Sequence, residues 1–286
     1  MKKLKEIVHK MYELILRPEL KILPGNLAFF LVLAIIPIII LIGFICSLMS
    51  IPITILTDFM NQYFPEQISN ILVPYFSGQG VDFNVVIFTL MGFILASNGA
   101  HAIIIASNKV YNVENNNYIR KRLKAFNMII LLVVLIVFML TFLAFGSSIM
   151  NFLTINFLKY LNKYTYYLYL MIKWPIGFMF IFMIVKLIYT IAPDKHIPSK
   201  YVNKGAVFTT IFWIIGTYIY GYYVTNIANY NLFYGNLSNI VILMLWIYFI
   251  SYVLVIGIVI NVTEYKVFEN NIEIENDKNK CIKIGE

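Results

Sequence analysis

Leu237-Ser-Asn-Ile-Val-Ile-Leu-Met-Leu-Trp-Ile-Tyr-Phe-Ile-Ser-Tyr-Val-Leu-Val-Ile-Gly-Ile-Val-Ile-Asn-Val262 is a run of 26 residues without an Asp, Glu, Lys or Arg. A helix needs ~20 apolar residues to cross the ~30 Å hydrocarbon core of a bilayer. This run is long enough to cross with some tilt. Five more runs of 22 to 25 residues precede it, at Leu27–Met49, Asn84–Ala106, Ala125–Ile149, Met171–Ala192 and Gly205–Ile227. Hydrocarbon offers the backbone no hydrogen-bond partner, so a segment crossing it forms its own bonds as a helix. The ~10-residue alternating segments of a β-barrel are missing. The fold class expected is all-α: a polytopic membrane protein with a bundle of six transmembrane helices and amphipathic interfacial helices.

Composition agrees with the runs. Of 286 residues, 60% are hydrophobic and 13% are charged, against about 45–50% apolar and about 25% charged in soluble domains. Mean hydropathy is +0.79. Charge this sparse cannot cover a water-facing surface, which excludes a soluble enzyme.

The net charge of +8 is distributed with a pattern. Eighteen of the 22 basic residues fall on alternate segments: before span one, between spans two and three, between spans four and five, and after span six. The other connections hold only Lys159 and Lys163, while Lys173 and Lys186 lie in span four. By the positive-inside rule both termini are cytoplasmic. The charge is thus a topology signal, and no nucleic-acid partner is expected.

Three regions follow: a basic amphipathic cytoplasmic segment at 1–24, the six-span membrane domain at 25–263, and a polar cytoplasmic tail at 264–286. In the first, Leu4, Ile7, Val8, Met11, Leu14 and Ile15 recur at helical spacing among lysines. Such a helix lies on an anionic leaflet or packs under the bundle, and Pro18 and Pro24 are expected to break it before the membrane. Span one is too long for a signal h-region and lacks an A-x-A site, so it reads as a retained anchor. Between spans one and two, residues 50–83 carry two short apolar helical faces separated by Pro65, which form either a gate or a passive cap. The tail mixes Glu, Asp, Lys and Asn and is expected to be disordered.

Polar groups within the spans are the candidate site. Such groups are costly in hydrocarbon and normally face the bundle interior or a water-filled cavity. Asn98 and His101 stand one turn apart in span two, with Asn108 near the same stripe, and Lys186 lies seven residues before Pro193 in span four. The expectation is one shared, cytoplasm-facing site for an anionic headgroup or substrate. Lys186 has a second reading, snorkelling to the headgroups, and His101 a second reading as a packing residue. Single Ser and Thr residues read as glue between helices. Pro37 lies mid-span and is expected to bend span one. Tyr234-Gly235 closes a short connection that makes spans five and six antiparallel neighbours. No CxxC, HExxH or His/Cys cluster occurs, so no metal, cofactor or catalytic residue is assigned.

Three stretches resemble the YihY/virulence factor BrkB family of inner-membrane proteins, once mislabelled ribonuclease BN. They are Pro24-Gly-Asn-Leu-Ala-Phe-Phe-Leu-Val-Leu-Ala-Ile-Ile-Pro37; Ser97-Asn-Gly-Ala-His-Ala-Ile-Ile-Ile-Ala-Ser-Asn-Lys-Val-Tyr-Asn112 with Arg120-Lys-Arg-Leu-Lys124; and Tyr189 to Glu264. The last holds Ala192-Pro193-Asp194, Gly205-Ala206, Tyr234-Gly235, Leu245-Trp246-Ile247-Tyr248 and Gly257. Two places depart from the family pattern. Ala34-Ile-Ile precedes Pro37 where a Ser shortly before is usual, and the stretch Gly257-Ile-Val-Ile-Asn261 lacks the acid that is usual after the glycine. The resemblance implies a multi-pass protein of the bacterial cytoplasmic membrane, concerned with the envelope and with lipids. A transporter or lipid-translocating protein is the reading taken, with membrane lipids, including anionic headgroups, as partners. A non-catalytic scaffold or assembly factor is the alternative. Ribonuclease activity is not expected, because the acids form no metal-holding or acid–base motif.

A reporter active only in the cytoplasm, fused after Glu286, is expected to be active. Activity from an exclusively extracytoplasmic reporter at the same place would contradict the topology.

Overall fold

The computed structural model describes residues 18–48, 83–113, 117–156, 162–226 and 237–284. These form six α-helices and no strand: α1 (Pro18–Leu48), α2 (Phe83–Tyr111), α3 (Tyr118–Asn156), α4 (Asn162–Ile191), α5 (Asn203–Asn226) and α6 (Leu237–Ile284), with one 3₁₀ turn at Ser199–Tyr201. Each expected span falls on one helix. Among the described residues, Leu90–Tyr111 and Ile240–Lys266 are long and apolar enough to cross a bilayer, with mean hydropathies of 1.6 and 2.6. The segment 50–83 (all but its last residue), the first 17 residues and the 227–236 connection with Tyr234 and Gly235 lie outside the described residues.

Two expectations change. Pro24 does not end a helix ahead of the membrane, because α1 begins at Pro18 and continues through Pro24 and Pro37. Pro18 suits the first helical position, where its missing N–H is not needed. An interior proline is tolerated in a membrane helix because neighbouring groups satisfy the freed carbonyl. The tail is helical rather than disordered, since α6 runs to Ile284. No Gly or Pro interrupts residues 258–284, and extending a helix that already exists avoids the nucleation cost. Helices therefore cross both outer region boundaries, at 24 and at 264.

Each helix packs on its chain neighbours, and α1 closes the circuit by packing on α6. The α1–α2 and α5–α6 pairs are the most extensive. The second of these agrees with the short connection between spans five and six. Lys109, Arg120–Lys124, Lys195, Lys200, Lys204 and Lys266 lie at one end of the bundle, called here the basic end. The largest fully buried side chains described include Leu27, Ile104, Met128, Tyr189, Leu254 and Ile258.

The α5–α6 contact is backbone to backbone. A Cβ placed on Gly205 would collide with the Gly257 carbonyl and the Asn261 amide, and one on Gly257 would collide with Tyr189 Oη and Thr209 Oγ1. Small residues permit such approach in membrane helices. The approach is filled with hydrogen bonds. The Gly205 N–H donates to Asn261 Oδ1 at 2.8 Å. Tyr189 Oη donates to the Leu254 carbonyl at 2.9 Å and lies 2.6 Å from Thr209 Oγ1. Three helices meet there. Lys204 Nζ pairs with Glu264 at 2.8 Å one turn toward the basic end. The hydroxyls divide into two groups. Thr210, Ser251 and Thr263 return to carbonyls of their own helices, whereas Thr209 joins two helices.

Replacing Gly257 with Val should destabilise the protein by about 1–3 kcal/mol, the usual cost of forcing extra carbons into packed space. Thr209→Val keeps the volume and should cost less. Thermal unfolding in detergent measures both. Equal stability of Gly257→Val and the native chain would contradict the close approach.

Candidate functional site at the basic end

The last turn of α2 sets the geometry. Asn112 has φ 54°, a left-handed conformation that Asn tolerates after a helix end. Its N–H donates to the Lys109 carbonyl at 3.3 Å, and the Val113 N–H donates to the Asn108 carbonyl at 2.9 Å. These two bonds satisfy carbonyls that the helix end leaves open. The turn leads the chain into α3, whose first helical N–H groups find their acceptor in Asn117: the Arg120 N–H donates to its Oδ1 at 3.1 Å. The basic run 120–124 thus occupies the first two turns of α3.

Asn108 and Lys124 then meet Asp194, beyond the end of α4. Asn108 Nδ2 donates to Asp194 Oδ2 at 2.6 Å, and the Asp194 N–H donates back to Asn108 Oδ1 at 2.7 Å. Lys124 Nζ donates to Asp194 Oδ1 at 2.7 Å and to the carbonyls of Ala192 and Pro193 at 3.0 and 2.7 Å. Pro193 prevents α4 from continuing, which leaves those carbonyls to be capped, and a cation at a helix C-terminus is favourable. The Asp194 side chain is only 6% exposed and that of Lys124 21%. This cluster binds the ends of α2, α3 and α4 together.

Arg122 lies on the other side of α3. Its Nη1 donates to Asn98 Oδ1 at 2.6 Å and its Nη2 to the Ile94 carbonyl at 3.3 Å. The guanidinium sits 5.1 Å from the centroid of the Phe126 ring, which stacks on Phe93 at 5.4 Å. These contacts include no carboxylate. Ile94, Leu95, Tyr118, Ile119 and Leu123 are exposed beside it. The His101 ring meets Tyr118 edge-on at 5.6 Å, and its Nε2 is buried without a hydrogen-bond partner.

The structure therefore divides the expected site residues. Asn98 and His101 sit with Arg122, while Asn108 belongs to the Asp194 cluster. Lys186 joins neither: its Nζ lies 5.8 Å from the Phe182 ring on its own helix. Arg122, Lys124 and Asp194 were not singled out by the sequence as site residues. The basic run served there as a topology signal and as part of the family resemblance, and Asp194 only as part of that resemblance. Ala192-Pro193-Asp194 was the available clue to the second cluster.

Asp194→Asn leaves the Lys124 ammonium without its carboxylate and should cost about 3 kcal/mol, the scale for breaking a largely buried ion pair. Combining it with Lys124→Met should cost less than the two single losses added together. Denaturation of the four proteins measures the coupling, and simple additivity would contradict it.

A family model described as virulence factor BrkB matches residues 16–280. The chain is 33% identical over 172 residues to the ribonuclease-like protein YfkH of Bacillus subtilis, which covers 60% of this chain and 62% of that protein. It is 33% identical over 82 residues to the UPF0761 membrane protein NTHI0384 of Haemophilus influenzae, covering 29% of this chain and 30% of the other. It is 30% identical over 77 residues to a UPF0761 membrane protein of Chromobacterium violaceum, covering 27% and 18%. The chain thus spans less than two thirds of the length of these relatives. No solved structure matches. With a match over nearly all of its helical core, this integral membrane protein belongs to the virulence factor BrkB family.

Proposed function

We propose that the protein translocates anionic lipid in the bacterial cytoplasmic membrane, its basic end facing the cytoplasm and receiving the headgroup. The observation that carries this reading is Arg122. Its guanidinium is held in place by Asn98 and the Ile94 carbonyl, lies among exposed apolar side chains, and meets no carboxylate among the described residues. Arginine presents five donors in a planar fork suited to phosphate, and the two bonds described occupy only part of that capacity. His101, with Nε2 unpartnered, and Tyr118 stand beside it. A phosphate at the membrane surface matches this combination of fixed cation, polar neighbour and apolar surround. The orientation rests on the distribution of basic residues and the positive-inside rule.

The ribonuclease-like name of the Bacillus relative is not carried over. Asp194, the carboxylate at the centre of the basic end, is engaged by Lys124 and Asn108 and is not placed to act as a general base.

In vesicles of phosphatidylethanolamine and phosphatidylglycerol, the protein should accelerate exchange of a fluorescent phosphatidylglycerol between leaflets. Arg122→Gln should slow that exchange by about tenfold, the scale of one charge-assisted hydrogen bond. Arg122→Lys should fall between, because it keeps the charge and loses the fork. Lys186→Met should match the native protein. Exchange no faster than in empty vesicles would overturn translocation and favour a scaffold. Normal exchange by Arg122→Gln would remove Arg122 from the site.

A further inference from the structure

A cleft of about 440 Å³ opens between α5 and α6, at the end of the bundle away from the basic residues. Gly216, Ile219 and Tyr220 from α5 and Leu245, Trp246 and Phe249 from α6 line most of it. Its size falls within the ~300–1,000 Å³ range of small-molecule sites. Gly216 lets the Phe249 ring pack directly on the α5 backbone at one side of the cleft, where a Cβ would collide with it. The Tyr220 and Trp246 rings stack at 4.9 Å along the wall.

What surrounds the cleft indicates its occupant. Ile215, Ile219, Val241 and Leu245 are exposed beside it. In a chain of this hydropathy, exposed apolar side chains on spanning helices face lipid tails, so the medium that enters the cleft is acyl chain. Tyr220 Oη and Trp246 Nε1 are both buried without a hydrogen-bond partner. Hydrocarbon cannot satisfy them, and leaving such groups unpaired is costly. Tyr220 lies six residues before Asn226, the last residue of α5, about 9 Å at 1.5 Å per residue. Rings of this kind concentrate toward the membrane interfaces, where lipid esters are the acceptors at hand.

We infer that this cleft binds one acyl chain of an ester-linked membrane lipid, with the ester carbonyl accepting a hydrogen bond from Tyr220 or Trp246. The site lies at the opposite end of the bundle from Arg122 and does not depend on the headgroup reading. It serves a translocator and a scaffold equally.

The test uses the full chain in phosphatidylethanolamine–phosphatidylglycerol vesicles carrying a trace of phospholipid with a photoactivatable group on one chain. Two versions are compared, ester-linked and ether-linked. Labelled peptides are identified by mass spectrometry. The expected result is saturable labelling of residues 216–223 and 242–249, stronger for the ester lipid by about fivefold, the net effect of one neutral hydrogen bond. Leu245→Trp adds bulk at an exposed lining position and should abolish this labelling while thermal stability is unchanged. Tyr220→Phe combined with Trp246→Phe should make the two lipids label equally. Labelling spread evenly along the exposed flanks, or insensitive to Leu245→Trp, would overturn the site. Labelling absent from the cleft would mean that another part of the chain fills it, and equal labelling of the native protein by both lipids would overturn the ester contact.

Discussion

The close approach of α5 and α6 at Gly205 and Gly257 is the contact on which the rest of the bundle depends. In hydrocarbon two apolar helix faces gain little by meeting, because lipid tails are as apolar as leucine. Association has to come from dispersion at short range and from hydrogen bonds that lipid cannot supply. Both are present at this crossing. The backbones approach until neither glycine has room for a Cβ, and Asn261 Oδ1, Thr209 and Tyr189 bridge the gap with hydrogen bonds, while Asn261 Nδ2 stays buried without a partner among the described residues. Tyr189 brings α4 into the same contact, so one cluster fixes three of the six helices.

The Asn261 side chain shows how one helix end is satisfied from another helix. An acid at that position would bring a charge, or a proton, into a place with no exposure. The amide instead accepts from the Gly205 N–H, one of the donors that the start of α5 leaves open. The asparagine thus acts as a cap for α5 supplied by a residue on α6. A similar division of labour holds at α4, whose last carbonyls are capped by Lys124 from α3. In both places a helix end is satisfied from a neighbouring helix, which fixes the helices relative to one another as well as ending them.

Much of the fold was legible in the sequence, and little of the site. Apolar runs in hydrocarbon have one backbone solution, so Leu237–Val262 and its five counterparts could be read as helices from length and hydropathy alone. Gly205 and Gly257 stood in the sequence only as parts of the family resemblance, with nothing to mark them as partners of each other. The contacts that define the site join residues far apart in the chain: Asn108 and Asp194 are 86 positions apart, Lys124 and Asp194 are 70. Which polar residues meet depends on how each helix is rotated about its axis. Hydropathy constrains that rotation weakly when helices are apolar all round. Thr209 and Thr210 make the point, since adjacent residues of one type face different surroundings and only one of them bridges helices. The tail differs for another reason: its composition is that of a disordered segment, but it continues a helix already formed by the last span, which removes the nucleation cost.

The unbroken length of α6 carries a mechanical consequence. Its 48 residues amount to about 72 Å of rod at 1.5 Å per residue, more than twice the ~30 Å of a hydrocarbon core. The same rod forms a wall of the cleft near one end, the glycine crossing near its middle and a shaft beyond the basic end. A push or twist on the shaft is delivered to the crossing as tilt, with no joint between to absorb it. The crossing then acts as a fulcrum, and the cleft wall on the far side moves in the opposite sense. Whatever grips the shaft therefore holds a lever on the opening between α5 and α6.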